Sequence, residues 1–235
     1  MLKLETMQVQ KGDFHLSGSL QIAAGTRVAV IGPSGAGKST LLEAIAGFQP
    51  LQSGRVLWNG DDLAGKPPGK RPVAMLFQDG NLFPHLTVRQ NVRLGIDANR
   101  RLSAQEDAQV SQALKRVGLG DMADRKPAAL SGGQQSRAAL ARVLVQGCAL
   151  LLLDEPFAAL GPALKAEMLD LVADIATECG ATLLMVSHDP QDARRIAEQV
   201  ILVAEAVVSP PAPTAMLLDN PPPALRAYLG SDAGD

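Results

Sequence analysis

Apolar and polar positions alternate over the first 22 residues, with Leu2 and Leu4, then Phe14 and Leu16, on shared faces. That period of two predicts paired strands leading to a turn at Ala24-Gly25, the antiparallel edge of a sheet. Arg27-Val28-Ala29-Val30-Ile31 is a short apolar, β-branched run and reads as a strand; residues 41–46 read as a helix stopped by Gly47. Residues 54–58 form a further strand ending in Asn59-Gly60, a hairpin signal. A loop over residues 66–72 precedes a buried strand, residues 73–77, ending at Gln78. From Asp79 to about Gln134 the period changes to that of helices. Thr87 with Gln90 and Ser103 with Glu106 have capping-box spacing, and Val110, Ala113, Leu114 and Val117 share one apolar face.

Beyond that block the strand pattern returns. Residues 149–153 are a near-continuous apolar run ending in Asp154, as expected of a parallel strand covered on both faces. Pro162 suits the first turn of a helix whose stripe is Leu164, Met168, Leu171, Val172 and Ile175. Residues 181–186 are another buried strand ending at Ser187-His188, and Asp189-Pro190 reads as a cap followed by a first helical residue. Prolines 210, 211, 213 and 221–223 leave the tail room only for short helices, such as one over 224–229. The fold class is therefore α/β. One domain spans residues 1–235, with an antiparallel β subdomain at its start and a core of residues 1–78 and 135–235 interrupted by a helical subdomain of residues 79–134.

Composition narrows the classes. With 46% hydrophobic residues among 235, the chain can bury a large core and is not disordered. Lys and Arg (22) nearly balance Asp and Glu (24), which gives no bulk attraction to nucleic acid or an anionic membrane. Cys148 and Cys179 are too few and too isolated for a disulfide framework or zinc cluster, so a reduced, cytosolic chain is expected. The first residues lack a signal-peptide pattern, and no apolar run is long enough to span a bilayer. Any membrane role is then expected to come through a partner.

The chemistry centres on Gly32-Pro33-Ser34-Gly35-Ala36-Gly37-Lys38-Ser39-Thr40. This fits the G-x-x-x-x-G-K-[ST] pattern of a P-loop, and it lies between a predicted strand and a predicted helix. The glycines let backbone N–H groups curl around phosphate, and the helix N-terminus adds its partial positive charge. Lys38 can reach the β/γ oxygens, and the Ser39 hydroxyl can ligate Mg²⁺. Asp154 and Glu155 end a buried strand, where open α/β sheets bind ligands. Alone such a pair is a capped strand end; downstream of a P-loop, Asp154 is placed like a Walker-B acid holding Mg²⁺, with Glu155 free to orient or deprotonate water. Leu130-Ser131-Gly132-Gly133-Gln134 has the spacing of a helix cap, and its two glycines would also admit a phosphate brought by another subunit, which demands a dimer. Gln78 and His188 each end a strand near the presumed site; His15 and His85 read as surface or loop residues.

Taken in order, the P-loop, Gln78, Leu130-Ser131-Gly132-Gly133-Gln134, residues 150–155 and His188 resemble the nucleotide-binding subunit of an ABC transporter over nearly the whole chain. The resemblance implies a P-loop NTPase of the ABC ATPase type with ATP and Mg²⁺ as cofactors. It also implies a head-to-tail homodimer with two ATP molecules sandwiched between the P-loop of one subunit and residues 130–134 of the other. Gln78 would sense Mg²⁺ and the attacking water, and His188 would contact the γ-phosphate and support Glu155. Two transmembrane permease subunits and, through them, a periplasmic solute-binding protein are implied partners, with no nucleic acid. The place implied is peripheral, on the cytoplasmic face of the inner membrane.

More narrowly, residues 71–78, residues 81–88 and Leu183-Leu184-Met185-Val186-Ser187-His188 resemble the ATPases of bacterial thiamine importers. Those of iron, phosphate, sulfate and polyamine importers share much of the pattern. ABC-type ATPases acting on DNA or ribosomes, or regulating through a membrane partner, are the alternative of another class; the coiled-coil insertion or second cassette typical of the DNA and ribosome types has no counterpart here. The sequence departs from the family twice. Gly161 stands where an aspartate usually crosses the dimer interface. Near Lys11, where an aromatic residue usually stacks on adenine, Phe14 is the nearest substitute.

Overall fold

Glycine and turn chemistry set the first half of the sheet. A computed structural model describes residues 1–78, 82–97, 100–147 and 149–231. Strand β1 (Leu2–Lys11) pairs antiparallel with β2 (Phe14–Ile22), from Leu2 opposite Ile22 to Lys11 opposite Phe14. On its other side β1 takes β4 (Ser53–Trp58), which turns through Asn59-Gly60 into β5 (Asp61–Asp62). Both turn residues have positive φ, 51° and 90°, as a two-residue hairpin of the type favoured by strand twist requires.

The second half is parallel. Strand β3 (Arg27–Ile31) lies between β8 (Thr182–Val186) and β9 (Gln199–Ala204); β7 (Leu150–Asp154) and β6 (Val73–Leu76) follow on the β8 side. The strand order is β5-β4-β1-β2-β10-β9-β3-β8-β7-β6, where β10 is Val207–Val208; β11 (Ala212–Pro213) pairs with β9 off this path. Burial on both faces explains the continuous apolar runs. Leu150 and Leu152 join the cluster that holds Leu41, Leu42 and Ile45 of helix α1 (Lys38–Ala46), while Leu151 and Leu153 point into the cluster on the other face.

Two expectations need correction. The tail, read as short helices alone, also contributes β9, which lies beside β3 and joins the parallel half to the antiparallel half through β10. The prolines that left room only for short helices come after this strand, and Pro213 is accommodated in the short pairing of β11, where a missing N–H costs little. Strand β6 is not buried on both sides: Ala74 and Leu76 are buried, but Val73 and Met75 are half-buried, because β6 ends the strand order.

Helices α2 (Val88–Arg93), α3 (Ala104–Arg116) and α4 (Gly132–Val145) each begin at a complete capping box, on Thr87, Ser103 and Ser131. A boundary drawn between residues 134 and 135 falls inside α4. Ala138, Leu140 and Val143 of this helix share one apolar cluster with Val88, Val110, Leu114 and Leu153, so the helical block and the sheet are built on common packing. Helices α5 (Pro162–Glu178), α6 (Pro190–Ile196), α7 (Thr214–Asp219) and α8 (Pro223–Ser231) complete the described chain. Among the described residues no helix is long and apolar enough to cross a membrane.

Candidate active site

Parallel register brings the chemistry to one sheet edge. Leu76 is opposite Leu153, Asp154 is opposite Val186, and Val30 is opposite Val186 on the next strand. Gln78, Asp154, Glu155, His188 and Gly32 therefore all leave the carboxyl ends of adjacent strands, the position at which open α/β sheets present ligands. Asp79, Gly80 and Asn81, in which the helical block was expected to begin, lie outside the described residues, as does Cys148.

The loop from β3 to α1 turns on three glycines with φ of 149° (Gly32), 77° (Gly35) and 104° (Gly37). Gly32 is required twice over, since a Cβ there would stand 2.0 Å from the carbonyl oxygen of Val203 on β9. Pro33, Ser34 and Ala36 fill the loop, and Lys38, Ser39 and Thr40 open α1. Gly37 caps that helix without a side-chain bond, leaving the first N–H groups to point into the loop. Lys38 is 8% exposed and its Nζ donates to the carbonyls of Gly32 (2.8 Å) and Pro33 (2.9 Å). Burial lowers its pKa against the opposing pull of Glu155 and Asp154.

The Ser39 hydroxyl donates to Asp154 Oδ1 at 3.1 Å. Burial pushes the Asp154 carboxyl up; the Ser39 bond opposes this and the neighbouring Glu155 and Glu43 add to it. A carboxylate whose charge is made costly by burial, beside a hydroxyl, is a hard oxygen pair that suits Mg²⁺ together with phosphate oxygens. Among the described residues no group of three or more His, Cys, Asp or Glu side chains could hold a metal ion unaided. Glu155 has φ of 43°, a left-handed conformation that costs a non-glycine residue about 1–2 kcal/mol. Its Oε2 lies 3.4 Å from His188 Nδ1. Gln78 is exposed at the end of β6.

Phe14 lies against the loop: a Cβ on Gly37 would stand 2.7 Å from its Cζ. With Lys11 it borders a depression of about 300 Å³ over Gly35, Lys38 and Ser39. Residues 130–134 do not line this depression. Leu130 is buried, Ser131 caps α4 by accepting the Gln134 N–H, and Gln134 Oε1 accepts the Ser131 N–H at 2.9 Å. Ser131 and Gly132 are exposed.

Several contacts had no signal in the sequence. Ser187 Oγ donates to the buried Asp192 at 2.5 Å, Lys165 Nζ lies 2.8 Å from the same Oδ2, and the Tyr228 hydroxyl donates to the His188 carbonyl. Each joins residues on separate elements, which a local pattern does not reveal. Gly161 is the N-cap residue of α5, with extended φ and ψ (−65°, 156°) and open space where a Cβ would go. Gly161→Asp is therefore expected to be tolerated and to add a few tenths of a kcal/mol through capping, about 1 °C in thermal unfolding. A fall of several degrees in the melting curve would refute this.

The ABC transporter family model matches residues 17–158. The Thiamine import ATP-binding protein ThiQ of Ruegeria sp. (strain TM1040) is 72% identical over 98% of this chain and 100% of its own length. Among solved structures, cbiO1 from Clostridium perfringens, part of the ABC transporter complex cbiONQ, superposes with a TM-score of 0.83 at 30% identity, covering 93% of this chain and 90% of that one. The ATP-binding cassette MJ0796, in a dimeric post-hydrolysis state bound to ADP and Pi, superposes with a TM-score of 0.79 at 30% identity, covering 91% and 99%.

Proposed function

The chain belongs to the ABC transporter family, and from that premise we propose that it is the ATP-hydrolysing subunit of a bacterial importer, energising thiamine uptake through a membrane permease. The observation that carries the reading is the meeting, at the carboxyl ends of β3, β7 and β8, of the Lys38 cradle, the Ser39–Asp154 pair and the Glu155–His188 pair. Identity of 72% to a thiamine-import subunit over its full length supports the solute.

Each residue has a part in this reading. Residues 32–40 bind the triphosphate, with Lys38 exchanging loop carbonyls for phosphate oxygens. Ser39, Asp154 and Gln78 would hold Mg²⁺, which would supply charge neutralisation at the phosphate when bound. Glu155 accepts a proton from water, and His188, 3.4 Å away, orients it and meets the γ-phosphate. Phe14 gives the nucleobase an apolar wall. Leu130, Ser131, Gly132, Gly133 and Gln134 complete the site of a second copy of this chain, the helix N-terminus facing phosphate. Moving such a dimer from about 1:99 to 99:1 closed takes about 5.5 kcal/mol of differential binding, a quantity two doubly gripped triphosphates can supply.

Closure must reach the membrane. Phe77, directly before Gln78, packs edge to face on Phe48 with centroids 5.5 Å apart, while Phe48 and Phe83 are 54% and 46% exposed. A partly exposed aromatic pair beside a strand end, with a further exposed ring at the start of the helical block, suits a hydrophobic partner segment. We assign this surface, with the helical block of residues 79–134, to the two permease subunits, which receive solute from a periplasmic binding protein. The chain would then sit peripherally at the cytoplasmic face of the inner membrane. A complex of this chain, its permease and the binding protein, reconstituted in lipid, should hydrolyse ATP faster when the binding protein carries thiamine than when it is empty or offered iron, phosphate, sulfate or polyamine. Absence of a thiamine response sinks the assignment of solute.

A further inference from the structure

Helix α5 touches two regions that serve different nucleotides in the proposed dimer. On one side Leu164 closes over Gly133, where a Cβ would stand 2.3 Å from Leu164 Cδ2, and one turn on Glu167 accepts a 2.6 Å bond from Arg137 of α4. The next residue faces the other way. Lys165 Nζ lies 2.8 Å from Asp192 Oδ2 and 3.1 Å from Asp189 Oδ2. Asp192 also accepts the buried Ser187 hydroxyl, and Ser187 Oγ accepts the Asp189 N–H at 3.1 Å. The segment 187–189 that carries His188 is thus tied to α5 through one ammonium group.

Space links this network to the chemistry. Lys165, Ser187 and Asp192 border the same small void, about 10 Å³, as Glu155 and His188. Burial alone would lower the Lys165 pKa, but its bonds to Asp192 and Asp189 carry it above the ordinary value, so the ammonium is well held. Gly161, the N-cap residue of α5 one turn before Lys165, has no side chain with which to make such a link.

We propose that Lys165 is a positioning residue for hydrolysis: with Leu164 it makes the first turns of α5 a link by which seating of residues 131–134 on a partner's nucleotide sets His188 and Glu155 in the same chain. This rests on the reading that Glu155 and His188 serve hydrolysis. Without the ammonium, Asp189 and Asp192 face each other unbalanced, and the His188 segment shifts away from α5. A displacement of that kind lowers turnover more than binding.

The test is made in the reconstituted transporter with Lys165→Met, Lys165→Arg and Glu155→Gln. Lys165→Met should lower kcat about 10-fold while KM for ATP stays within about twofold, and the Hill coefficient for ATP should fall toward 1. Lys165→Arg, which restores a cation between the two carboxylates, should recover both. Lys165→Gln serves in place of the methionine variant if that chain does not fold. A neutral variant with the kcat and Hill coefficient of the unaltered protein overturns the inference, as does a loss that arginine fails to repair. If Glu155→Gln itself keeps turning over ATP, it is the underlying reading that falls.

Discussion

Replacing Glu155 by Gln is expected to lower ATP turnover by about 10²–10⁴-fold, the usual worth of a positioned general base, while magnesium and ATP then hold the protein as a dimer. The substitution is close to isosteric. Both side chains must accept the left-handed backbone at this position (φ 43°), so the strain stays and the change is chemical. The amide no longer takes a proton from water, but the triphosphate cradle, Lys38, Ser39 and Asp154, is untouched. Binding therefore persists and release does not follow. Size-exclusion chromatography with and without nucleotide, beside a phosphate-release assay, reads both halves. Retained turnover refutes Glu155 as the base. A variant that remains monomeric at saturating nucleotide, and whose membrane complex likewise never closes, refutes the shared site.

Lys38→Met is expected to weaken ATP binding by about 10–100-fold or more, because each charge-assisted hydrogen bond to phosphate is worth about 1.5–3 kcal/mol. The fold should survive. Lys38 is 8% exposed and its ammonium is satisfied by two loop carbonyls, so methionine keeps the buried stem while the carbonyls lose a donor. The lowered pKa of this lysine says that burial already disfavours its charge, which limits what the folded chain loses with it. Calorimetric titration with ATP and a melting curve separate the two effects. Unchanged affinity excludes Lys38 from the phosphate site; a collapsed melting curve with lost binding makes its role structural instead.

Much of the architecture was legible because it is local. The capping boxes at Thr87, Ser103 and Ser131 are four-residue patterns that satisfy helix N–H groups in place, and all three form. The Asn59-Gly60 hairpin is set by residues that tolerate positive φ. Strand β9 was missed for the opposite reason. Residues 200–203 form an ordinary apolar run, and their place beside β3 comes from a pairing some 170 residues apart in sequence, written in no short window. The edge position of β6 likewise follows from strand order, which periodicity does not encode.

The sequence by itself determined where the phosphate-binding turn lies, which residues could serve it and which family carries them, since glycine conformations, caps and strand ends follow from neighbouring residues. Only the tertiary structure decided that Ser39 meets Asp154, that Glu155 meets His188 and that Lys165 ties α5 to the segment beyond β8. Those contacts depend on parallel register between strands far apart in the chain, and register is settled by burying both faces of the sheet at once.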